Sequence, residues 1–337
     1  MASFELEKIT LPLNLTWKIA RNSSTEKNNF VVRAKGNGSM KNLVGMGEVA
    51  FNIRYGESAA LTEEAFKRFQ QEWNPEWHTM EEFQDYMASL ENIPASLRFG
   101  LEAAFIHYVS QFIGKEIPAF LRLKKINAIS TSFSLPIMPT EEIGEFVTGR
   151  KLTRFSSLKL KTDSQNVYER VAALAAVYSG WIRLDANEAF TDPHEFLRVA
   201  ESLKPFRIQF IEQPLPADRG DDYLLIKGKS PFPLFADESV TDKEITSYHK
   251  ERFHGVNIKL MKSGGIFKAM GQLKSARALG LKTMLGCMVE TSLGISWAMQ
   301  LACLADFFDL DGHLLLAADP FNLVQEDQGK LIWPEYH

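Results

Sequence analysis

The sequence predicts an α/β protein built from an N-terminal α+β unit of about 120 residues and a closed barrel of parallel β/α units behind it. From about Ile126 onward, short apolar runs ending in a charged residue alternate with loops and amphipathic helices, which is the rhythm of a βα repeat. Six or more such units fit into the remaining chain at spacings of roughly 25 residues, which suits a closed parallel barrel. An open doubly wound sheet shares this periodicity. However, no G-x-G-x-x-G opens a helix after a strand and no G-x-x-x-x-G-K-[ST] occurs, so the nucleotide-binding forms of that sheet lack their signal.

In chain order, FELEKITLPL and FVVRAKGNGSM read as strands, and a hairpin at Gly36-Asn37-Gly38 leads into GMGEVAF, giving an antiparallel meander. The glycines near Gly36 and Gly45 read as turn residues. After Leu61 the spacing becomes helical. In PASLRFGLEAAFIHYVSQFIGK, Leu97, Leu101, Ala104, Tyr108 and Phe112 share one face before Gly114 ends the helix. The barrel part continues with SSLKLK, then Ser164 as N-cap of a helix carrying Val167, Val171, Leu174 and Tyr178, closed by Gly180. WIRLD starts the next unit, whose helix opens with Asp192 as cap and Pro193 in its first turn and turns Phe196, Val199, Ala200 and Leu203 inward. RIQFIE, PLFADE, GVNIKLMK, KTMLGCMVE and FFDLD supply the later strands.

Composition narrows the function classes. The 337 residues are 45% hydrophobic, and 38 Lys+Arg stand against 42 Asp+Glu, so no basic field exists for a phosphate backbone and nucleic-acid binding is excluded as a first reading. No stretch reaches the roughly 20 apolar residues of a membrane span, and MASFELEKIT lacks the basic start and apolar core of a signal peptide. A soluble, cytoplasmic protein with no membrane partner is expected, and a homo-oligomer is compatible with it. Cys287 and Cys303 show no C-x-x-C spacing, so neither a disulfide framework nor a zinc site is indicated, and Cys303 reads as a small core residue.

The chemistry is carried by charged residues at strand ends. Asp185, Glu212 and Asp237 each follow an apolar strand core at separations of 27 and 25 residues, so consecutive barrel strands present them at one rim. Taken singly, each acid could as well cap a helix or pair with an arginine such as Arg183. Three in register crowd one rim with negative charge, and a cation resolves the repulsion. All-oxygen ligation with open positions suits Mg²⁺, one ion per site.

Lys159 and Lys161 lie two apart on a strand and so face the same way; repulsion between them is expected to make Lys161 usable as a base, against the plainer reading of a solvated edge pair. Lys259 follows Asp237 by 22 residues on the next strand. The two lysines 161 and 259 therefore flank the three acids, an arrangement for moving a proton across two faces of one carbon. Lys262, three beyond Lys259, is expected to point away from it as a surface or helix-entry charge.

LKLK at 158–161, LDAN at 184–187, IEQP at 211–214, ADES at 236–239 and NIKLMKSGGI at 257–266 together resemble the enolase superfamily, in its muconate lactonizing enzyme subgroup, and most of all its dipeptide epimerases. RFGLEAAFIHYVSQFIGK is similar to that family's capping helix and GMGEVAFNIRYGES to its mobile-loop region, so the resemblance runs through nearly the whole chain. It implies a modified TIM barrel, (β/α)7β, over residues 126–317, under an α+β capping domain at 1–125 that is completed by about 318–337. It further implies that Asp185, Glu212 and Asp237 bind Mg²⁺, which holds the substrate carboxylate and stabilises an enediolate, while Lys161 and Lys259 exchange an α-proton on opposite faces. The pairing of a lysine base with Mg²⁺ is the established pattern of enolase-type sites rather than a deduction from these residues. Asn187 and Glu238 are expected to orient ligands or lysines, with plain structural roles as the alternative.

For the substrate, the resemblance assigns the D-x-D of Asp309 and Asp311 to the α-ammonium of an N-terminal amino acid, where a paired anion suits a cation. Members that act on N-succinyl amino acids or muconate have no ammonium to bind. Arg21 matches a cap loop in which epimerases acting on Ala-Glu carry an arginine for the glutamate carboxylate, although Lys18 and Arg54 offer other cations. Cys287, Met288 and Ser134 are expected to line the pocket. The implied activity is a Mg²⁺-dependent dipeptide epimerase acting on L-Ala-D/L-Glu in murein peptide recycling. An o-succinylbenzoate synthase, N-succinylamino acid racemase or cycloisomerase is the alternative within the scaffold, and a non-catalytic binding protein the alternative outside it.

Overall fold

The computed structural model describes residues 2–19, 22–74, 76 and 79–334. Three strands, β1 (Ala2–Ile19), β2 (Asn22–Gly36) and β3 (Val44–Val49), form the N-terminal antiparallel sheet in sequence order. Helices α1 (Ala59–Glu72), α2 (Met80–Ser89) and α3 (Ala95–Phe112) pack beside it. Gly45 and Gly47 lie inside β3 rather than in a turn. They are there because α3 rides on the strand at backbone distance: a Cβ on Gly47 would stand 2.1 Å from the Gly100 carbonyl oxygen, and one on Gly45 1.9 Å from that of Ala104.

Helix α3 has two apolar sides. Leu97, Leu101, Ala104 and Tyr108 join the core of the N-terminal unit, as the spacing predicts, whereas Phe99, Ala103 and Ile106 enter the core shared with the barrel. Phe112, expected on the first face, is the last residue of the helix and is 50% exposed.

After β4 (Ala128–Ser130), eight parallel strands follow: β5 (Ser132–Leu135), β6 (Ser157–Lys161), β7 (Trp181–Asp185), β8 (Ile208–Glu212), β9 (Leu234–Ala236), β10 (Gly255–Lys259), β11 (Lys282–Gly286) and β12 (Phe307–Asp309). They hydrogen-bond in order from β5 to β12. The seam between β12 and β5 is tied by side chains: the Leu310 amide donates to Thr131 Oγ1 (2.8 Å) and Ser132 Oγ to Asp309 Oδ1 (2.6 Å). The chain then adds β13 (Gln325–Asp327) and β14 (Lys330–Ile332), and β14 pairs antiparallel with β4. No helix among the described residues is long and apolar enough to cross a membrane.

Of the two helix caps expected from residue type, one forms. Asp192 caps its helix by accepting from the His194 amide (2.9 Å) with Pro193 behind it. Ser164 does not cap the preceding one; Asn166, in the left-handed region, is the last residue before Val167. Tyr178 leaves that helix in extended conformation and donates its hydroxyl to the Phe155 carbonyl (2.9 Å). Cys303 is only partly buried.

The strand pleat explains why the barrel is apolar below and charged above. Residues two apart face the same side. Phe210, Phe235 and Met284 are packed with Phe307 into an inner layer, the rings of Phe210 and Phe235 stacked at 4.1 Å between centroids and Arg183 lying over Phe210. Two residues further along these strands stand Asp185, Glu212, Asp237 and Asp309. The charged layer thus rests on a packed floor at the C-terminal ends of the strands, where barrels of this kind carry their sites.

Candidate active site

A cavity of about 570 Å³ opens between that rim and the N-terminal sheet. Its walls include Lys159, Lys161, Asn187, Asp237, Glu238, Lys259, Asp309 and Asp311 from the barrel, and Trp17, Lys27, Asn29, Arg54 and Tyr55 from the other unit. Asp185, Glu212 and Asp237 are buried and place carboxylate oxygens within 4.8 Å of one another. Glu212 Oε1 accepts from Asn257 (2.7 Å), while Oε2 receives no well-formed hydrogen bond; Lys159 Nζ, at 2.8 Å, is an ion-pair neighbour off the preferred direction. Burial raises the Glu212 carboxyl to about 7, with Lys159 offsetting only part of that and Asp185 and Asp237 adding repulsion. Three gathered carboxylates, one of them with a buried oxygen that receives no hydrogen bond, are a donor set that fits a divalent cation such as Mg²⁺.

The lysines fall on the two sides of the triad. Lys161 Nζ donates to Asp185 Oδ2 (2.5 Å) and to Asn187 Oδ1 (3.2 Å), and Lys259 Nζ donates to Asp237 Oδ2 (2.9 Å). Asn187 also donates its amide to Asp185 (3.0 Å) and its side chain to Glu238 (3.1 Å), so it links one acid, one lysine and Glu238. Burial raises Asp185 and Asp237, but Lys159 and Lys161 at the first, and Lys259 and Lys262 at the second, outweigh it and hold both below the usual carboxylate range. Burial likewise works to lower Lys259, and Asp237 overrides it, raising that ammonium.

Lys159 lies deeper than a partner for Lys161 alone would. It touches Asp185 (2.9 Å), Glu212 (2.8 Å) and Asp309 (2.7 Å), and these acids outweigh burial to raise its pKa well above the ordinary lysine value. Lys262 corrects the sequence reading more sharply. It is buried and contacts Asp237 Oδ1 at 2.6 Å, because the strand ends at Lys259 and a helical turn at Leu260–Ser263 swings the third residue back toward the acid. The left-handed Gly264 that stops this turn was the available signal.

Asp309 and Asp311 are both buried in the cavity wall. Asp309 accepts from Ser132 Oγ (2.6 Å) and Lys159, and Asp311 from the Ser134 amide (2.6 Å), so the backbone of Ser134 positions Asp311. Burial, with the charge of Asp309 beside it, raises Asp311 to about 6. Cys287 and Met288 line the wall just beyond β11, Cys287 donating to the Asp309 carbonyl (3.3 Å). Arg21 lies outside the described residues.

Sequence reading missed the joint that holds the two units together. Glu48 on β3 is fully buried and accepts from Asn29 Nδ2 (2.8 Å), Thr291 Oγ1 (2.5 Å), the Thr291 amide and the Gly294 amide (3.0 Å), at the start of helix Ser292–Gln300. Arg54 forks onto Glu188 at 3.0 and 2.9 Å. Both contacts join residues far apart in the chain, and nothing local marks them.

The enolase C-terminal domain-like family model matches residues 142–329. An L-Ala-D/L-amino acid epimerase of Pedosphaera parvula is 36% identical over 292 residues, covering 86% of this chain and 83% of its own. The L-Ala-D/L-Glu epimerase of Bacteroides thetaiotaomicron is 32% identical over 289 residues, covering 86% and 75%. Among solved structures, an enolase family member from Agrobacterium tumefaciens with homology to dipeptide epimerases, holding sodium and L-Ala-L-Glu with an ordered loop, superposes with a TM-score of 0.87 at 26% identity, covering 100% of this chain and 98% of that one. With the triad, the flanking lysines and the barrel that presents them, these likenesses identify the chain as a member of the enolase superfamily and an isomerase of its epimerase and racemase branch.

Proposed function

We propose that the protein inverts the α-carbon of the C-terminal residue of a dipeptide by two-base 1,1-proton transfer, with one Mg²⁺ and with L-Ala-D/L-Glu as the substrate pair, serving murein peptide recycling. The observation that supports this most is the order of charges round the barrel end: Lys161, then Asp185, Glu212 and Asp237, then Lys259, with Asp309 and Asp311 in the same cavity. Asp185, Glu212 and Asp237 would hold the cation, which when bound neutralises the acids, holds the substrate carboxylate and takes up the charge that grows there as an α-proton leaves.

The remaining roles belong to the chain's own side chains. Lys161 and Lys259, on opposite sides of the triad, take the proton from one face and return one to the other. Asn187 steers Lys161, and Glu238 steers Asn187. Lys159 keeps a positive charge on the cavity floor. It also neutralises Asp309, leaving Asp311 as the carboxylate with charge to spare for the substrate α-ammonium. Cys287 and Met288 form the wall beside that anchor.

Incubation of the purified protein with Mg²⁺ in D₂O and a dipeptide library including L-Ala-L-Glu, followed by NMR or mass, tests the reading. Deuterium entry at the C-terminal residue supports it. Silence across the library, with exchange on N-succinyl amino acids, transfers the scaffold to a racemase or synthase of that class. Asp311→Asn should impair only the dipeptide reaction, whereas Asp309→Asn also frees Lys159 beside the triad. Absence of exchange on every substrate would favour a binding protein.

A further inference from the structure

We infer that Lys27 selects the substrate's side chain by pairing with a carboxylate on it. The cavity walls contain five cations among the described residues: Lys27, Arg54, Lys159, Lys161 and Lys259. Four have carboxylate partners, at Glu188 for Arg54, at three acids for Lys159, at Asp185 for Lys161 and at Asp237 for Lys259. Among the described residues, Lys27 has neither an ion pair nor a hydrogen bond from its ammonium. Its neighbour Glu26 reaches the same cavity but is exposed and makes no ion pair with Lys27.

Lys27 is half-buried, and burial lowers its pKa with no anion acting in the opposite sense. An ammonium removed from water without a partner is costly, and a ligand carboxylate recovers what is lost. Its position is also fixed. Lys27 on β2 pairs with Leu11 on β1, and the following stretch of β1 is fastened to the barrel: the Ala317 amide donates to the Pro12 carbonyl (2.8 Å) and Asn14 Nδ2 to the Leu314 carbonyl (2.9 Å). Two residues on, Asn29 is held by Glu48 and the Val289 carbonyl. The ammonium therefore faces the cavity from the N-terminal sheet, across from the barrel rim.

Within the dipeptide reading, on which this inference rests, the α-carboxylate belongs at the triad and the α-ammonium at Asp311. The group left for Lys27 is the side chain of the residue being inverted, and the chemistry it takes is an acid of glutamate length rather than its amide.

Exchange in D₂O would be compared for L-Ala-L-Glu and L-Ala-L-Gln, which share shape and differ in charge, and in parallel for N-succinyl-Glu and N-succinyl-Gln. Wild type should prefer the acid in kcat/KM by about tenfold to a hundredfold, the range of a hydrogen bond to a charged group. Lys27→Met should cut that ratio at least tenfold, through KM, and Lys27→Glu should shift preference toward L-Ala-L-Lys. An acid-to-amide ratio that Lys27→Met leaves intact overturns the inference. If only the N-succinyl pair exchanges, the dipeptide reading falls while that pair's ratio still decides Lys27. If nothing exchanges, calorimetric binding of the same compounds reads the ratio, and no preference for acids there overturns it.

Discussion

Glu102 sits on α3 with its carboxylate aimed at the first turn of helix Ile266–Ala278, where Oε2 accepts from the Ile266 amide at 2.7 Å and a Cβ on Gly265 would stand 2.1 Å from it. Burial raises its pKa from 4.5 to about 7, the helix amides offsetting only part of the desolvation. A carboxyl whose folded pKa is raised binds its proton more tightly in the folded state. Its stabilising contribution is therefore full below about pH 4.5 and is lost as pH rises through about 7. The shift corresponds to a few kcal/mol, on the order of 3, at 1.36 kcal/mol per unit. Glu102→Gln keeps an acceptor for the Ile266 amide and removes the titration. Urea unfolding of both proteins at pH 5 and pH 8 should give a wild-type stability that falls more steeply, with the variant gaining on it by roughly 1–3 kcal/mol at pH 8. Parallel pH profiles, or a variant weaker than wild type at pH 8, would refute the reasoning.

Three further outcomes follow from the same geometry. Lys161→Ala and Lys259→Ala should each reduce epimerisation by about 10²-fold to 10⁴-fold, while one of them still permits deuterium exchange from a single face; full activity in either removes the two-base scheme. Chelation of divalent ions should stop α-proton exchange, and Mg²⁺ at a hundred times its Kd should raise unfolding free energy by about 2.7 kcal/mol, a gain absent in Asp185→Asn if the triad is the metal site. Gly47→Ala drives a methyl into the Gly100 carbonyl and should cost about 1–3 kcal/mol by urea midpoint, with no loss meaning that α3 can retreat from β3.

The charged rim was legible because strand ends punctuate the sequence. Asp185, Glu212 and Asp237 each end or follow an apolar run, and the pleat sends every second residue inward, so spacing alone brought them together. Lys262 was misread because the strand was extended through it, whereas the backbone turns helical at Leu260. Ser164 looked like a cap by residue type, yet Asn166 adopts the left-handed geometry before the helix. Glu48 and Arg54 were invisible as joints, since their partners Thr291 and Glu188 lie 243 and 134 residues away. The partners of Lys159 likewise come from three other strands, and only the closed ring shows that it faces acids more than its neighbouring lysine.

The doubly apolar character of α3 also constrains how a substrate enters. A helix whose opposite sides belong to two cores, seated backbone to backbone on β3, leaves no wet plane along which one unit could swing away from the other. The whole protein should resist denaturant and hydrogen exchange as one cooperative block, with opening confined to the connecting segments at the cavity mouth. Side chains at the mouth sit apart from the proton-transfer apparatus beneath, so the same rigid frame could be retuned to new peptides one mouth residue at a time.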